Sequence, residues 1–163
     1  MRYPHRSALR QLRRLYTTLS TKEAGSQTFV SEHSFGQEDI NAFVSLTSDH
    51  NEIHVNPEIA RKSGFRRTIV PGILSASLFP AIISSHYPGA LYLTQTLKFR
   101  EHILVDEVIE ALVTPTKRPG GSSKHVSFTT LLRIADSPNN DIERIGRVVV
   151  EGTALARTNG NAL

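Results

Sequence analysis

The chain has 163 residues, of which 39% are hydrophobic and 21% charged, a balance typical of one soluble globular domain. It contains no cysteine, which excludes disulfides, thiolate metal ligands and cysteine nucleophiles, and no apolar run long enough to cross a membrane. The formal charge of +4 comes from residues 1–21, which hold five of the 19 basic residues and no acidic one. The rest of the chain has 14 basic and 15 acidic residues, which nearly cancel. The body of the chain therefore has no positive field to attract nucleic acid.

The N-terminal segment, residues 1–21, is rich in arginine and hydroxyl groups and free of acidic residues. Four leucines repeat at helical spacing on a face largely separate from the arginines: Leu9, Leu12, Leu15 and Leu19. This composition predicts an organellar transit peptide, and the number of arginines favours the mitochondrial matrix over the chloroplast. A basic disordered tail is the alternative. We expect a single domain over residues 22–163.

The sequence of the first half of this domain predicts one strand and two helices. Residues 27–33 indicate a short strand, and Gly36 follows as the cap of a helix that ends near Ser48. Its inward positions fall at i, i+3, i+4 and i+7: Ile40, Phe43, Val44 and Thr47. A second helix of one or two turns is predicted over 57–62 and is stopped by Gly64.

The second half predicts a long apolar helix followed by four strands. The helix spans about 73–85 and is apolar on nearly every side, which indicates a core helix, with Pro80 as the site of a local bend. The strands are rich in β-branched and aliphatic residues and span 91–99, 107–115, 123–136 and 144–157. Because short turns join them, they can run antiparallel and wrap the helix. We predict an α+β hotdog fold.

Three polar residues follow the first predicted helix: Asp49, Asn51 two positions later and His54 five positions after the aspartate. Ala60 stands six positions beyond His54. This spacing resembles the signature of the (R)-specific enoyl-CoA hydratase family, also called MaoC-like dehydratases, and is nearest to its mitochondrial hydroxyacyl-thioester dehydratases of type two. Residues 69–77 resemble the start of the family's central helix, and residues 92–108 resemble the strand and turn that follow. The resemblance covers about 29–156.

Two positions depart from the family's pattern. Glu52 stands where the family usually has proline, and Pro71 stands where it usually has histidine before the helix-opening glycine. Proline suits the first turn of a helix. Glu52 adds a carboxylate, which would disturb the ionisation of its neighbours if it pointed inward.

The resemblance implies roles for three residues, and their positions suggest roles for two more. Dehydration of a 3-hydroxyacyl thioester requires one group that accepts the Cα proton and one that helps the hydroxyl leave as water. Asp49 and His54 are implied to share these two roles, in an order that the sequence leaves open. The backbone amide of Gly72, at the start of the central helix, is implied as the oxyanion donor. Ser77 is expected to orient Asp49, and Asn51 to brace the loop.

A metal site is the alternative for the histidines, since His50 and His54 are four residues apart. Glutamate does not follow the first histidine directly, as the zinc-protease order requires, and no third ligand is evident. We therefore predict no metal and no cofactor.

A basic stretch without an acidic residue lies between the polar group and the long helix: Arg61, Lys62, Arg66 and Arg67. It predicts either a solvated face or a docking patch for an anionic carrier, which would be acyl carrier protein or the phosphates of CoA.

The resemblance and the transit peptide together imply a hydro-lyase of mitochondrial fatty-acid synthesis, which dehydrates (3R)-hydroxyacyl groups on acyl carrier protein to trans-2-enoyl thioesters. One alternative is an (R)-specific enoyl-CoA hydratase of fatty-acid oxidation, against which the lack of a C-terminal peroxisomal signal counts. Another is a non-catalytic acyl-binding hotdog subunit. We expect a homodimer that pairs through sheet edges, with its sites near the interface.

Overall fold

The computed structural model describes residues 21–23, 26–116 and 124–158, so the predicted transit peptide lies outside the described residues except for Thr21. The strands are β1 (Thr21–Glu23), β2 (Ser26–Ser34), β3 (Leu91–Phe99), β4 (Val108–Pro115), β5 (His125–Ile134) and β6 (Val148–Arg157). The helices are α1 (Gln37–Thr47), α2 (Pro57–Lys62), α3 (Gly72–Ala76) and α4 (Leu78–His86), with 3-10 turns at Glu52–His54 and Ile142–Arg144.

The strands form one antiparallel sheet in the order β1-β2-β4-β5-β6-β3. The predicted strands are confirmed, and β3 has the predicted bounds. Two differences concern short elements. The three-residue β1 was not predicted, because it has no apolar alternation. Residues 142–144 form a 3-10 turn where the last predicted strand was expected to begin. Within the described residues, β3 pairs only with β6.

Helix α1 begins and ends as the sequence predicts. The N–H of Gly36 donates to the Asp39 carboxylate (3.0 Å), which satisfies one group at the helix start. Ser48 adopts a left-handed conformation (φ 58°) at the other end and turns the chain into the Asp49 loop. Helix α2 likewise has the predicted bounds, and Gly64 follows it with φ +90°.

The prediction of one long helix over 73–85 is wrong, because the chain forms two helices, α3 and α4, that meet at Ser77. Pro80 has no N–H to donate to the carbonyl of Ala76, four residues earlier, and its ring crowds that carbonyl. The break therefore falls one turn before the proline. The expectation of burial on most sides is also wrong for the single chain, since Ile73 is 59% exposed while Phe79 and Ile83 are buried.

The core lies between the buried face of α4 and the concave face of the sheet. Buried residues alternate along β4 and β5, as expected for strands with one covered face. Phe79 and Phe128 are fully buried, and each such side chain contributes about 1.5–3 kcal/mol by burial. Among the described residues, no helix has the length and apolar character needed to cross a membrane.

Candidate active site

The loop after α1 carries the predicted polar group on a short, internally bonded frame. The Asp49 carboxylate accepts the N–H of Asn51 (3.2 Å). The side-chain oxygen of Asn51 in turn accepts the N–H of Ile53 (3.4 Å), at the start of the 3-10 turn Glu52–His54. Asn51 therefore ties Asp49 to the turn that ends at His54.

The His54 ring is buried and held from behind by the backbone. Its Nδ1 lies 2.8 Å from the carbonyl oxygen of Ile69. Because a carbonyl oxygen can only accept, Nδ1 carries the proton, and Nε2 of the neutral ring keeps a free lone pair. The main chain of His54 is fixed as well, since its carbonyl accepts from Gln37 (3.0 Å), whose own oxygen accepts from Thr68 (2.9 Å).

Asp49 and His54 face each other without a direct hydrogen bond. The separation between Asp49 Oδ2 and His54 Nε2 is 4.0 Å, which is too long for a hydrogen bond but can be bridged by one oxygen atom of a water or a hydroxyl group. The side chain of Asp49 is 41% exposed and that of His54 is 10% exposed. The pair therefore joins a solvated carboxylate to a buried base.

A cavity of about 610 Å³ opens beside His54. Its wall is mostly apolar and includes the start of α3 and the end of β3: Phe65, Ile69, Val70, Gly72, Ile73 and Phe99. Its remaining described residues include Ser75 and the segment 100–103. The structure thus brings His54 and Gly72, which are eighteen positions apart in the sequence, to one cavity.

Gly72 is the first residue of α3, and the first amides of a helix have no acceptor within it. A Cβ at this position would lie 2.6 Å from Cε1 of Phe99, so the ring of Phe99 covers the face where a side chain would stand. Packing against Phe99 therefore favours glycine at this position, which lines the cavity.

Ser77 is placed differently from the prediction. It is exposed at the junction of α3 and α4, and its hydroxyl donates to the carbonyl of Leu74 (2.6 Å) rather than to Asp49. The serine at the cavity is Ser75, which is fully buried and donates to the carbonyl of Gly72 (2.7 Å). Its spacing from Gly72, three residues along one helix face, is the sequence signal that could have identified it.

The sequence also did not identify His102, which lines the same cavity. Its ring packs edge-to-face on Phe65 with 4.9 Å between centroids. Burial, and then the charge of Arg144, lowers the pKa of His102, while Glu101 and Glu107 act in the opposite direction. The imidazole is therefore neutral at neutral pH.

The remaining predicted positions lie on the outside of the chain. Glu52 is exposed at the first position of the 3-10 turn and does not line the cavity. In the predicted docking patch, Arg61 and Lys62 are exposed at the end of α2, whereas Arg66 forms an ion pair with Asp141 and Arg67 is half-buried.

Comparison with known proteins gives the family and the relatives of this chain. Residues 13–136 match the model of the MaoC like domain, a match that begins within the predicted transit peptide. The chain is 36% identical over 122 residues to a mitochondrial 3-hydroxyacyl-[acyl-carrier-protein] dehydratase of Solanum lycopersicum, covering 75% of this chain and 69% of that protein. It is 46% identical over 97 residues to the mitochondrial enzyme of the same name in Arabidopsis thaliana, covering 59% of this chain and 58% of that protein. The second alignment therefore spans less than two thirds of the relative.

Solved structures show the same architecture. An (R)-hydratase from A. caviae involved in PHA biosynthesis superimposes with a TM-score of 0.72 at 26% identity, covering 85% of this chain and 99% of that one. An R-hydratase from Pseudomonas aeruginosa gives 0.73 at 22% identity, covering 86% and 85%, and supports the fold alone. The predicted α+β hotdog fold is confirmed. With three quarters of its length matched by one family model, this chain belongs to the MaoC-like domain family.

Proposed function

We propose that the chain is a hydro-lyase that converts (3R)-hydroxyacyl thioesters into trans-2-enoyl thioesters by reversible loss of water. The observation that carries this proposal is the His54 ring, whose Nδ1 is held by the Ile69 carbonyl so that Nε2 is the ring nitrogen left beside Asp49, at the cavity. The relatives in tomato and Arabidopsis are named dehydratases, and the A. caviae structure is named a hydratase. These names describe the two directions of one reaction.

In this reaction His54 accepts the Cα proton at Nε2, and the resulting imidazolium returns that proton to the hydroxyl that leaves Cβ as water. Electrons from the Cα–H bond form the double bond as the Cβ–O bond breaks. Asp49 accepts a hydrogen bond from the departing hydroxyl and stabilises the transient imidazolium across the 4.0 Å gap. One buried base thus serves both proton transfers, and the enzyme ends in its initial protonation state.

Negative charge develops on the thioester oxygen when the Cα proton leaves. The amide of Gly72 is the donor for this oxygen, a contribution typically worth ~3 kcal/mol of barrier. Ser75 holds the Gly72 carbonyl (2.7 Å) and so fixes the orientation of the first helical turn. Asn51 braces the loop through its bonds to Asp49 and Ile53.

The substrate is carried by acyl carrier protein in the mitochondrial matrix. The names of the tomato and Arabidopsis relatives, which give acyl carrier protein and the mitochondrion, support this proposal. Residues 1–21 act as the transit peptide. The carrier docks on the basic patch, where Arg61 and Lys62 are exposed and Arg66 is exposed but paired with Asp141. An (R)-specific enoyl-CoA hydratase is the second candidate, because a Rhodospirillum rubrum protein of that name is 33% identical over 72% of this chain.

The working unit is a homodimer paired through the free edge of β3. This strand is nine residues long, has only β6 as a partner in the described sheet, and exposes Leu91, Leu93 and Phe99. Long apolar edges of this kind favour pairing with another strand. Light scattering should give twice the chain mass of 18.1 kDa; a monomer would contradict the pairing.

The test of function is steady-state turnover of enoyl-CoA and enoyl-carrier-protein thioesters, followed in both directions. Replacing His54 by alanine or Asp49 by asparagine should lower kcat by about 10²–10⁴-fold, the usual contribution of acid–base catalysis. His50→Ala is the matched control, because this exposed histidine lies on the same loop and should have no effect. Turnover unchanged in His54→Ala would refute the proposal and favour a non-catalytic acyl-binding subunit. A carrier-protein kcat/KM no higher than that with CoA would favour the second candidate.

A further inference from the structure

A buried ion pair lies behind the cavity wall, between the turn before β4 and the 3-10 turn before β6. Glu107 is 1% exposed and Arg144 is 8% exposed. Their contact is bidentate, with Nε of Arg144 2.7 Å from Oε1 of Glu107 and Nη2 3.2 Å from Oε2. Neither residue has a place in the reaction described above.

Stability alone is a poor explanation for this pair. Removing two charges from water is costly, and apolar replacements of similar volume are often as stable as the pair or more so. What the charges add is a set of directed hydrogen bonds to the backbone. Oε2 of Glu107 accepts the N–H of Leu104 (2.9 Å), and Nη2 of Arg144 donates to the carbonyl of His102 (2.6 Å). The pair therefore fixes the main chain on both sides of Ile103.

The main chain of 103–105 is hydrogen-bonded to segment 68–70, whose Ile69 carbonyl holds the His54 ring. Val70 donates to the carbonyl of Ile103 (2.9 Å), and Val105 donates to the carbonyl of Thr68 (3.0 Å), so 68–70 and 103–105 form a short antiparallel bridge. The carbonyl at the centre of 68–70 is that of Ile69, and it accepts Nδ1–H of His54 (2.8 Å).

We propose that Glu107 and Arg144 are positioning residues for His54. They hold the 102–104 main chain, which holds 68–70, and the Ile69 carbonyl then sets the tautomer and direction of the imidazole. This inference rests on the proposed role of His54 for its effect on turnover, but the hydrogen-bond chain can be tested without turnover.

The test removes both charges together, in the double variant Glu107→Leu/Arg144→Met, so that no buried charge is left unpaired. The variant should remain folded, with a melting temperature close to that of the parent. Its kcat should fall by about 10–100-fold with KM changed by less than about threefold, because a displacement near 1 Å in a catalytic group costs up to about 10²-fold in rate. Hydrogen exchange of the His54 ring N–H, followed by NMR on histidine-labelled protein, should accelerate at least about tenfold as its bond to Ile69 weakens.

The matched control is Glu110→Leu/Arg133→Met. This second Glu–Arg pair begins on the same strand, β4, and joins it to β5, but it is more exposed, and its described bond runs from Nε of Arg133 to the Glu110 carboxylate rather than to the backbone of 102–104. It should leave kcat and the exchange rate unchanged. If the first double variant fails to fold, Arg144→Lys serves for the same measurements, because lysine keeps the charge but cannot bond Glu107 bidentately while reaching the His102 carbonyl.

Unchanged exchange of the His54 ring N–H in the folded variant would overturn the inference, even if kcat fell, because the effect would then not pass through His54. Parent-like kcat would overturn it as well. Failure of the proposed function has a different signature, since His54→Ala would then turn over normally whatever the exchange measurement showed.

Discussion

Replacing Gly72 by alanine tests whether the first turn of α3 must stand where it does. The added Cβ would lie 2.6 Å from Cε1 of Phe99 and 3.0 Å from Cδ1, whereas ordinary contact begins at 3.4 Å. The helix start or the ring must therefore move by about 0.8 Å, and overpacking of this kind costs about 1–3 kcal/mol. The helical preference of alanine over glycine offsets about 1 kcal/mol of that cost. We expect the free energy of unfolding to fall by about 1 kcal/mol.

The effect on turnover should be larger than the effect on stability. Because the ring of Phe99 is half-exposed and takes up part of the displacement, the proposed oxyanion donor moves by less than 0.8 Å, and kcat should fall by up to about 10²-fold with a small change in KM. Phe99→Leu in the same chain removes the ring atoms that the methyl group meets, and the double variant should recover most of the lost kcat. The assays are steady-state turnover and urea unfolding of the four proteins of this cycle. A double variant with kcat no higher than that of Gly72→Ala would refute the steric explanation.

Two further predictions concern charge. Burial lowers the pKa of His86 below 6.5, and its ring stacks on Phe29 at 3.7 Å; the unfolded chain therefore binds more protons, and stability should fall as pH drops below about 6.5. Urea unfolding at pH 7.5 and 5.5 should show a smaller loss in His86→Phe, and an equal loss would contradict the assignment. Because Glu52 is exposed and outside the cavity, Glu52→Gln should leave the pH–rate profile unchanged; a shifted profile would show that its charge reaches Asp49 and His54.

The parts of the site that the sequence predicted are local in the chain. Asp49, Asn51 and His54 lie within six residues, and the bonds of Asn51 to its neighbours are those that asparagine commonly makes in turns. The bounds of α1 and β3 were also predictable, because apolar periodicity and capping residues act over a few positions. Ser77 was misassigned because composition identifies an apolar helix but does not say which side faces the sheet.

The parts that could not be predicted depend on backbone groups and distant pairs. The Ile69 carbonyl that fixes the His54 ring lies fifteen residues away, and a carbonyl oxygen is present at every position, so it leaves no signal in the sequence. Glu107 and Arg144 are 37 residues apart, and each is the first residue of a predicted strand, where a charged side chain ordinarily indicates a solvated end of that strand. Their burial follows from the sheet bringing the two turns together.

Segment 69–72 both holds the His54 ring and carries the proposed oxyanion donor. Ile69, which holds the His54 ring, and Gly72, whose amide is the proposed oxyanion donor, are three residues apart with Pro71 between them. Proline restricts the backbone here (φ −54°), so a displacement of this segment moves the base and the oxyanion donor together. A methyl group forced against Phe99 at Gly72, or loss of the Glu107–Arg144 pair, should therefore appear mainly in kcat, because both groups act on charge that develops only in the transition state.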